Sequence, residues 1–165
     1  MDYHKAADRI RTLAGTNPPR VGLILGSGLG ELANSMSLLS EISYKDLPGF
    51  PEPTISGHYG QLKLGTLAGV PIACLQGRSH LYEGHHIQQL ATPIRALKLA
   101  GCEVLVLTCA AGSLHENMLP GDLMLVTDHI NWSGLSPLVG VNDDSIGPRF
   151  VDVSQAYDPM LQGLA

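Results

Sequence analysis

Three short apolar runs, each followed closely by a loop of small or polar residues, constrain this chain more than any other feature. Val21-Gly22-Leu23-Ile24-Leu25 leads into Gly26-Ser27-Gly28-Leu29-Gly30. Val70 to Leu75 leads into the polar cluster Gly77-Arg78-Ser79-His80-Leu81-Tyr82-Glu83-Gly84-His85-His86. Val104 to Thr108 leads into Cys109-Ala110-Ala111-Gly112-Ser113. A short continuous apolar run bounded by turn residues reads as a strand buried on both faces. Helical patterns lie before and between the runs. Tyr3, Ala6, Ala7, Ile10, Leu13 and Ala14 recur at helical spacing over residues 3–14, and Asn17-Pro18-Pro19 closes that segment. Ile87 to Ala100 repeats the pattern and meets a stop at Gly101. Alternating strands and helices give an α/β fold with a mixed, largely buried sheet.

The remaining elements are shorter. Glu31 to Met36 reads as a short helix, and residues 45–58, with Pro48, Pro51 and Pro53, read as a long loop. Gln61 to Leu67 alternates polar and apolar residues, and with Gly69-Val70-Pro71 as the turn it forms a hairpin with the next strand. Leu123 to Thr127 reads as a further strand, residues 131–149 as a loop, and Pro159 as an early position in a helix beginning near Ser154. No repeat, linker or domain boundary is visible. The 165 residues are read as a single domain, incomplete at its C-terminus because a helical pattern is still running at Leu161 to Ala165.

Charge and cysteine content narrow the function classes. Lys plus Arg is 10 and Asp plus Glu is 15, a net charge of −5 without the basic stripe of a nucleic-acid binder. A 44% hydrophobic content excludes a disordered chain. No apolar stretch approaches the ~20 residues that span a bilayer. The start Met1-Asp2-Tyr3-His4-Lys5 is not that of a signal peptide. Cys74, Cys102 and Cys109 form no Cys-x-x-Cys pair and suit reduced thiols in a cytoplasm.

The loops fit some known chemistries and exclude others. Successive backbone N–H groups where a strand meets a helix form a concave anion site, and Ser27 adds a hydroxyl donor. The dinucleotide fingerprint fails at Glu31. The Gly-Lys-Ser/Thr end of a Walker loop is absent, and neither Ser27 nor Ser79 has the glycine spacing of a hydrolase elbow. In the second cluster Arg78 presents a planar fork suited to phosphate oxygens, His80 can donate to the same anion, and Tyr82 supplies an aromatic wall. His80, Glu83, His85 and His86 also invite a metal reading, but their spacing matches no metal motif. Cys109 as a nucleophile lacks any visible activating group.

These loops, in this order, resemble those of the trimeric purine nucleoside phosphorylases. Leu47-Pro48-Gly49-Phe50-Pro51, Gly57-His58-Tyr59-Gly60, Tyr82-Glu83-Gly84, Asp128-His129-Ile130-Asn131, Asn142-Asp143-Asp144 and Gly147-Pro148-Arg149-Phe150 extend the likeness from about residue 20 to the last residue. The resemblance implies a phosphorylase/hydrolase-like three-layer fold. It also implies reversible phosphorolysis of purine ribonucleosides or deoxyribonucleosides (inosine, guanosine, xanthosine) to free base and a pentose 1-phosphate.

On that resemblance Ser27, His58, Arg78, His80 and the main chain of Ala110 are the phosphate ligands, with Ser79 in the same loop. Tyr82 is a wall of the ribose site. Phe150 reaches into the ribose pocket of a neighbouring subunit, which implies a homotrimer. Glu83 orients His80 or its loop. No metal or cofactor is implied, inorganic phosphate being a co-substrate; neither is a nucleic-acid or membrane partner. Cys109 stands where most members carry Asn. The family's Glu and Asn that hold the purine, a further phosphate-binding Ser and the group near the ribose 5′-hydroxyl lie in a part beyond Ala165. This chain alone is therefore expected to expose sheet edge and apolar surface.

The alternatives are a fragment that binds phosphate or nucleoside without turnover, a methylthioadenosine phosphorylase, and a hydrolytic nucleosidase. The methylthioadenosine relatives usually carry Gly-Gly-Ser-Gly where this chain has Leu25-Gly26-Ser27-Gly28. A nucleosidase would not need the phosphate loop around Arg78 and His80.

Overall fold

The apolar stripe near the N-terminus folds as helix α1, Asp2–Ala14, and buries Tyr3, Ala6, Ala7, Ile10 and Ala14. The structure, a computed structural model, describes residues 2–54, 57 and 59–165. They fall into two compact units, Met1–Ala110 and Ala111–Ala165.

The first unit holds a five-stranded mixed sheet in the order β2-β3-β4-β1-β5. Its strands are β1 (Val21–Leu25), β2 (Ser37–Ser43), β3 (Gln61–Leu67), β4 (Val70–Gln76) and β5 (Val104–Leu107). β1 runs parallel to both β4 and β5, with Leu23 level with Cys74 on one side and Val106 on the other. β2, β3 and β4 are antiparallel neighbours. The sheet is therefore mixed, as expected. Its three parallel strands are the three apolar runs, and they all point the same way. The loops that leave their C-terminal ends emerge side by side, where open α/β sheets bind ligands.

Packing follows the strand alternation. Leu23 and Leu25 of β1 join Ile72 and Cys74 of β4 under Ala33 and Met36 on one face. Gly22 points to the other face, where an added Cβ would lie 3.0 Å from Leu97. Leu97 is fully buried and belongs to α3 (Thr92–Ala100), which packs against α1. Tyr3 of α1 carries the Arg95 guanidinium over its ring at 5.3 Å, a cation–π contact between the two helices.

Several elements differ from the sequence-based expectation. The helix foreseen over 31–36 is a 3-10 segment, Gly30–Ser35. The helix foreseen over 87–100 is divided into α2 (Ile87–Leu90) and α3, with Pro93 near the start of the second piece. A proline there has no N–H to give to the preceding turn. Gly101 ends α3 in the left-handed conformation, as its position foretold.

Strand β2 has no signature in the sequence. A bulge lies between Leu38 and Ser40, so the alternation that would reveal a strand is broken in its first half. The hairpin between β3 and β4 turns at Ala68 and Gly69, with Val70 and Pro71 already in the strand. Both turn residues have positive φ, 50° and 80°, as a two-residue hairpin of the primed type requires.

In the second unit, residues 123–127 pair with no strand among the described residues. The apolar run that suggested a strand there lacks a neighbour to take its backbone hydrogen bonds, and Leu123, Met124 and Leu125 are exposed. The last helix does not begin near Ser154. It begins at Pro159 and runs to Gln162 as α4. The Asp158 carboxylate sets that start by accepting from the N–H groups of Met160 (2.8 Å) and Leu161 (3.0 Å).

The expected apolar surface is present at both sheet edges, as Leu38 and Leu39 on β2 and Val106 and Leu107 on β5. No helix among the described residues is long and apolar enough to cross a membrane.

The turn yields a stability prediction. An alanine held at positive φ costs roughly 1 kcal/mol relative to glycine. Ala68→Gly should raise the urea midpoint at unchanged slope, and a lowered midpoint would show that the alanine is unstrained.

Candidate functional site

The three parallel strand ends are joined through a single residue, Thr108. Its hydroxyl accepts from the N–H of Gly26 at 2.7 Å and donates to the carbonyl of Ile24 at 3.2 Å, tying the end of β1 to the end of β5. Its own carbonyl accepts from the Arg78 guanidinium, which reaches across from the loop after β4. Gly26 sits at the crossing. An added Cβ would lie 2.7 Å from the Thr108 carbonyl oxygen and 3.2 Å from an Arg78 guanidinium nitrogen. The glycine is therefore required by close approach: the loops after β1 and β5 meet at backbone distance, and the loop after β4 reaches them through the Arg78 side chain.

The loop after β4 is held from beneath. Tyr44, nearly fully buried, donates its hydroxyl to the carbonyl of Gly77 at 2.7 Å. Burial, with a smaller contribution from Cys74, pushes its phenol well above the usual range, so it stays a donor. Gln76, buried at the last position of β4, gives its amide to the carbonyl of Gly30 at 3.0 Å and fixes the far end of the glycine loop. Cys74, in the core below, is pushed up to about 11 by burial against the opposing pull of Lys63, and it remains a thiol.

Glu83 organises the other side of this loop. Its side chain is only 1% exposed. One carboxylate oxygen accepts from the His80 N–H at 2.7 Å and contacts His80 Nδ1 at 2.8 Å. The other accepts from the N–H and the hydroxyl of Thr54, at 2.5 and 2.8 Å. Burial alone would raise this carboxyl, but the hydrogen bonds from Thr54 and His80 outweigh it and hold the group at about 2. An ionised carboxylate only accepts, so the proton at this contact belongs to His80 Nδ1. Nε2 is the ring nitrogen on the side away from Glu83. The His80 ring stacks on Tyr82, with centroids 4.8 Å apart and planes 12° from parallel, and Tyr82 is largely exposed.

The structure thus places Ser27, Arg78, Ser79, His80, Tyr82 and Ala110 on the loops at the C-terminal ends of β1, β4 and β5. Ser27 and Ala110 are exposed there. The Ser79 hydroxyl donates to the carbonyl of Pro51 at 3.0 Å, which makes it an anchor between loops. Phe150 is exposed in the second unit. His58 lies outside the described residues.

For the metal reading, His85 Nε2 turns to the carbonyl of Glu52, and no three His, Cys, Asp or Glu side chains gather as a metal site among the described residues. Thr108, Thr54, Tyr44 and Gln76 went unnoticed as site supports. Gln76 carried a signal, a polar residue closing an apolar strand. Tyr44 and Thr54 lie far from their partners in sequence and carried none.

A parallel-strand edge that gathers a glycine loop, an arginine and a histidine has the donor chemistry suited to a small anion. The chain belongs to the phosphorylase superfamily, whose sequence profile matches residues 20–165. It is 48% identical over 147 residues to purine nucleoside phosphorylase 1 of Bacillus subtilis, a match covering 89% of this chain and 54% of that protein. It is 45% identical over 143 residues to the purine nucleoside phosphorylase of Bos taurus, covering 85% and 50% respectively. Isoform 2 of the Schistosoma mansoni purine nucleoside phosphorylase, solved with cytosine and ribose-1-phosphate, superposes with a TM-score of 0.86 at 43% identity. That superposition covers 99% of this chain and 58% of the other. The chain spans about half the length of these relatives.

The Glu83 network predicts a pH dependence. Its carboxyl lies below the ordinary value of 4.5 in the folded protein, so its contribution to stability is full above about 4.5 and fades as the pH falls toward about 2. Glu83→Gln should therefore lower the urea midpoint at pH 7, with the gap to the parent narrowing at pH 3. A gap that is constant or widens on acidification would contradict the arrangement.

Proposed function

We propose that this chain carries the phosphate site of a purine nucleoside phosphorylase. The enzyme would cleave inosine, guanosine and related purine (deoxy)ribonucleosides reversibly, giving free base and (deoxy)ribose 1-phosphate. The observation that carries the reading is the meeting of three strand-end loops at Thr108, with Arg78 bonded to the third loop and Gly26 packed against both. The relatives named purine nucleoside phosphorylase, and the neighbour solved with ribose-1-phosphate, support it.

In this reading the Ser27 loop, Arg78, His80 and the main chain of Ala110 hold the phosphate, with Ser79 bracing the loop and His58 as a further ligand. Tyr82 lines the ribose, and Phe150 serves the ribose pocket of a neighbouring subunit in a homotrimer. The phosphate oxygen attacks the anomeric carbon as the bond to the purine nitrogen breaks, and the departing base takes the electron pair. Positive charge grows on the sugar in the transition state. A fixed phosphate dianion close to that carbon supplies both the nucleophile and the compensating charge, so catalysis here is positioning and electrostatics. No covalent enzyme intermediate is needed. The reaction requires no cofactor besides the co-substrate phosphate, and the free thiols Cys74, Cys102 and Cys109 fit a cytoplasmic protein.

The test uses the full-length protein with inosine. Release of hypoxanthine and ribose 1-phosphate should depend on phosphate. Equal release without phosphate would indicate a hydrolase, and phosphate binding without release would indicate a binding protein. Arg78→Ala should raise the phosphate KM by on the order of a hundredfold, and an unchanged KM would remove Arg78 from the phosphate site.

A further inference from the structure

The segment Pro51-Glu52-Pro53-Thr54 supplies none of the proposed ligands, yet three contacts stitch it to the loop that follows β4. The Ser79 hydroxyl donates to the Pro51 carbonyl at 3.0 Å. His85 Nε2 lies 3.1 Å from the Glu52 carbonyl. Thr54 donates twice to Glu83, from its N–H at 2.5 Å and from its hydroxyl at 2.8 Å. The two prolines have no N–H, and their fixed φ stiffens the segment, so Thr54 follows a rigid stretch as a donor.

We infer that Thr54 is a positioning residue for phosphate capture, acting through Glu83 on the His80 ring. This rests on the reading of His80 as a phosphate ligand. The two Thr54 donors occupy one oxygen of the Glu83 carboxylate and leave the other to the His80 N–H and Nδ1. That division fixes the plane of the carboxylate, and the plane fixes the ring. With Nδ1–H committed to Glu83, Nε2 is aimed by geometry. Stacking on Tyr82 limits tilt, but rotation within the stack remains unless the carboxylate is held. Loss of the Thr54 hydroxyl would leave a nearly buried carboxylate oxygen with one protein donor in place of two, and the group would turn toward water.

The experiment compares Thr54→Val and Thr54→Ser in the full-length protein. Valine keeps the shape and the N–H but removes the hydroxyl; serine restores it. Thr54 is exposed, so neither change disturbs a core, and Thr54→Ala is the substitute if the valine variant does not fold. Two quantities are read: steady-state kinetics with inosine and phosphate varied separately, and calorimetric binding of inorganic phosphate.

For Thr54→Val the phosphate KM and Kd should rise roughly tenfold, while kcat and the inosine KM stay within about twofold. Thr54→Ser should return both phosphate constants to within about twofold of the parent. Phosphate constants unchanged in Thr54→Val, an equal rise in the inosine KM, or no rescue by serine would overturn the inference. A parent protein that binds phosphate without turnover would refute the phosphorylase reading alone, and the calorimetric arm would still decide the role of Thr54. A parent that neither binds phosphate nor cleaves inosine would overturn both.

Discussion

Thr108 is the contact on which the arrangement depends. One hydroxyl accepts a hydrogen bond from the turn after β1 and donates one back to that strand, while the carbonyl of the same residue accepts one from Arg78. Parallel strands end in unpaired backbone groups, and bringing three such ends together leaves donors and acceptors that must be satisfied in a small space. Thr108 satisfies two of them and recruits a guanidinium. Gly26 makes this possible, because any side chain there would collide with the Thr108 carbonyl and with Arg78. The core below is ordinary close packing. The β4-β1-β5 ladder sets the strand spacing that lets the loops above meet, and Leu23, Leu25, Ile72 and Cys74 pack one face of it.

The loop carrying His80 is fixed by a second, polar layer. Tyr44 holds its start from the buried side, Glu83 holds its middle, and the segment around Pro51 holds its outer edge. A ligand that develops charge during reaction is served best by dipoles that need not move, and these contacts remove the freedom that the loop's own sequence would leave. The carboxylate at the centre of the network is buried but fully satisfied, so it stays ionised and dictates which nitrogen of His80 carries a proton.

Most of the parallel strands and the site loops were legible in the sequence, because both follow from local patterns. Val21 to Leu25 and Val70 to Leu75 are apolar runs, and the glycine and polar residues after them mark where each strand ends. The strand β2 was illegible because its bulge at Leu39 removes the alternation that identifies a half-buried strand. The unpaired run at 123–127 shows the converse, since apolar composition suggests a strand but only a neighbour makes one. Arg78 and His80 stood out by chemistry. Thr54, Tyr44 and Thr108 did not, because what they do depends on partners 29, 33 and 82 positions away. Supports of this kind are a property of the fold and leave no local trace.

The central claim is that the three strand-end loops form a phosphate site, and a crystal structure of the full-length protein soaked with inorganic phosphate tests it most directly. The account predicts a phosphate within hydrogen-bond reach of the Ser27 hydroxyl, the Arg78 guanidinium, His80 Nε2 and the Ala110 main chain, with His80 Nδ1 still on Glu83. A phosphate seated elsewhere, or one held with Arg78 and His80 turned away, would contradict it.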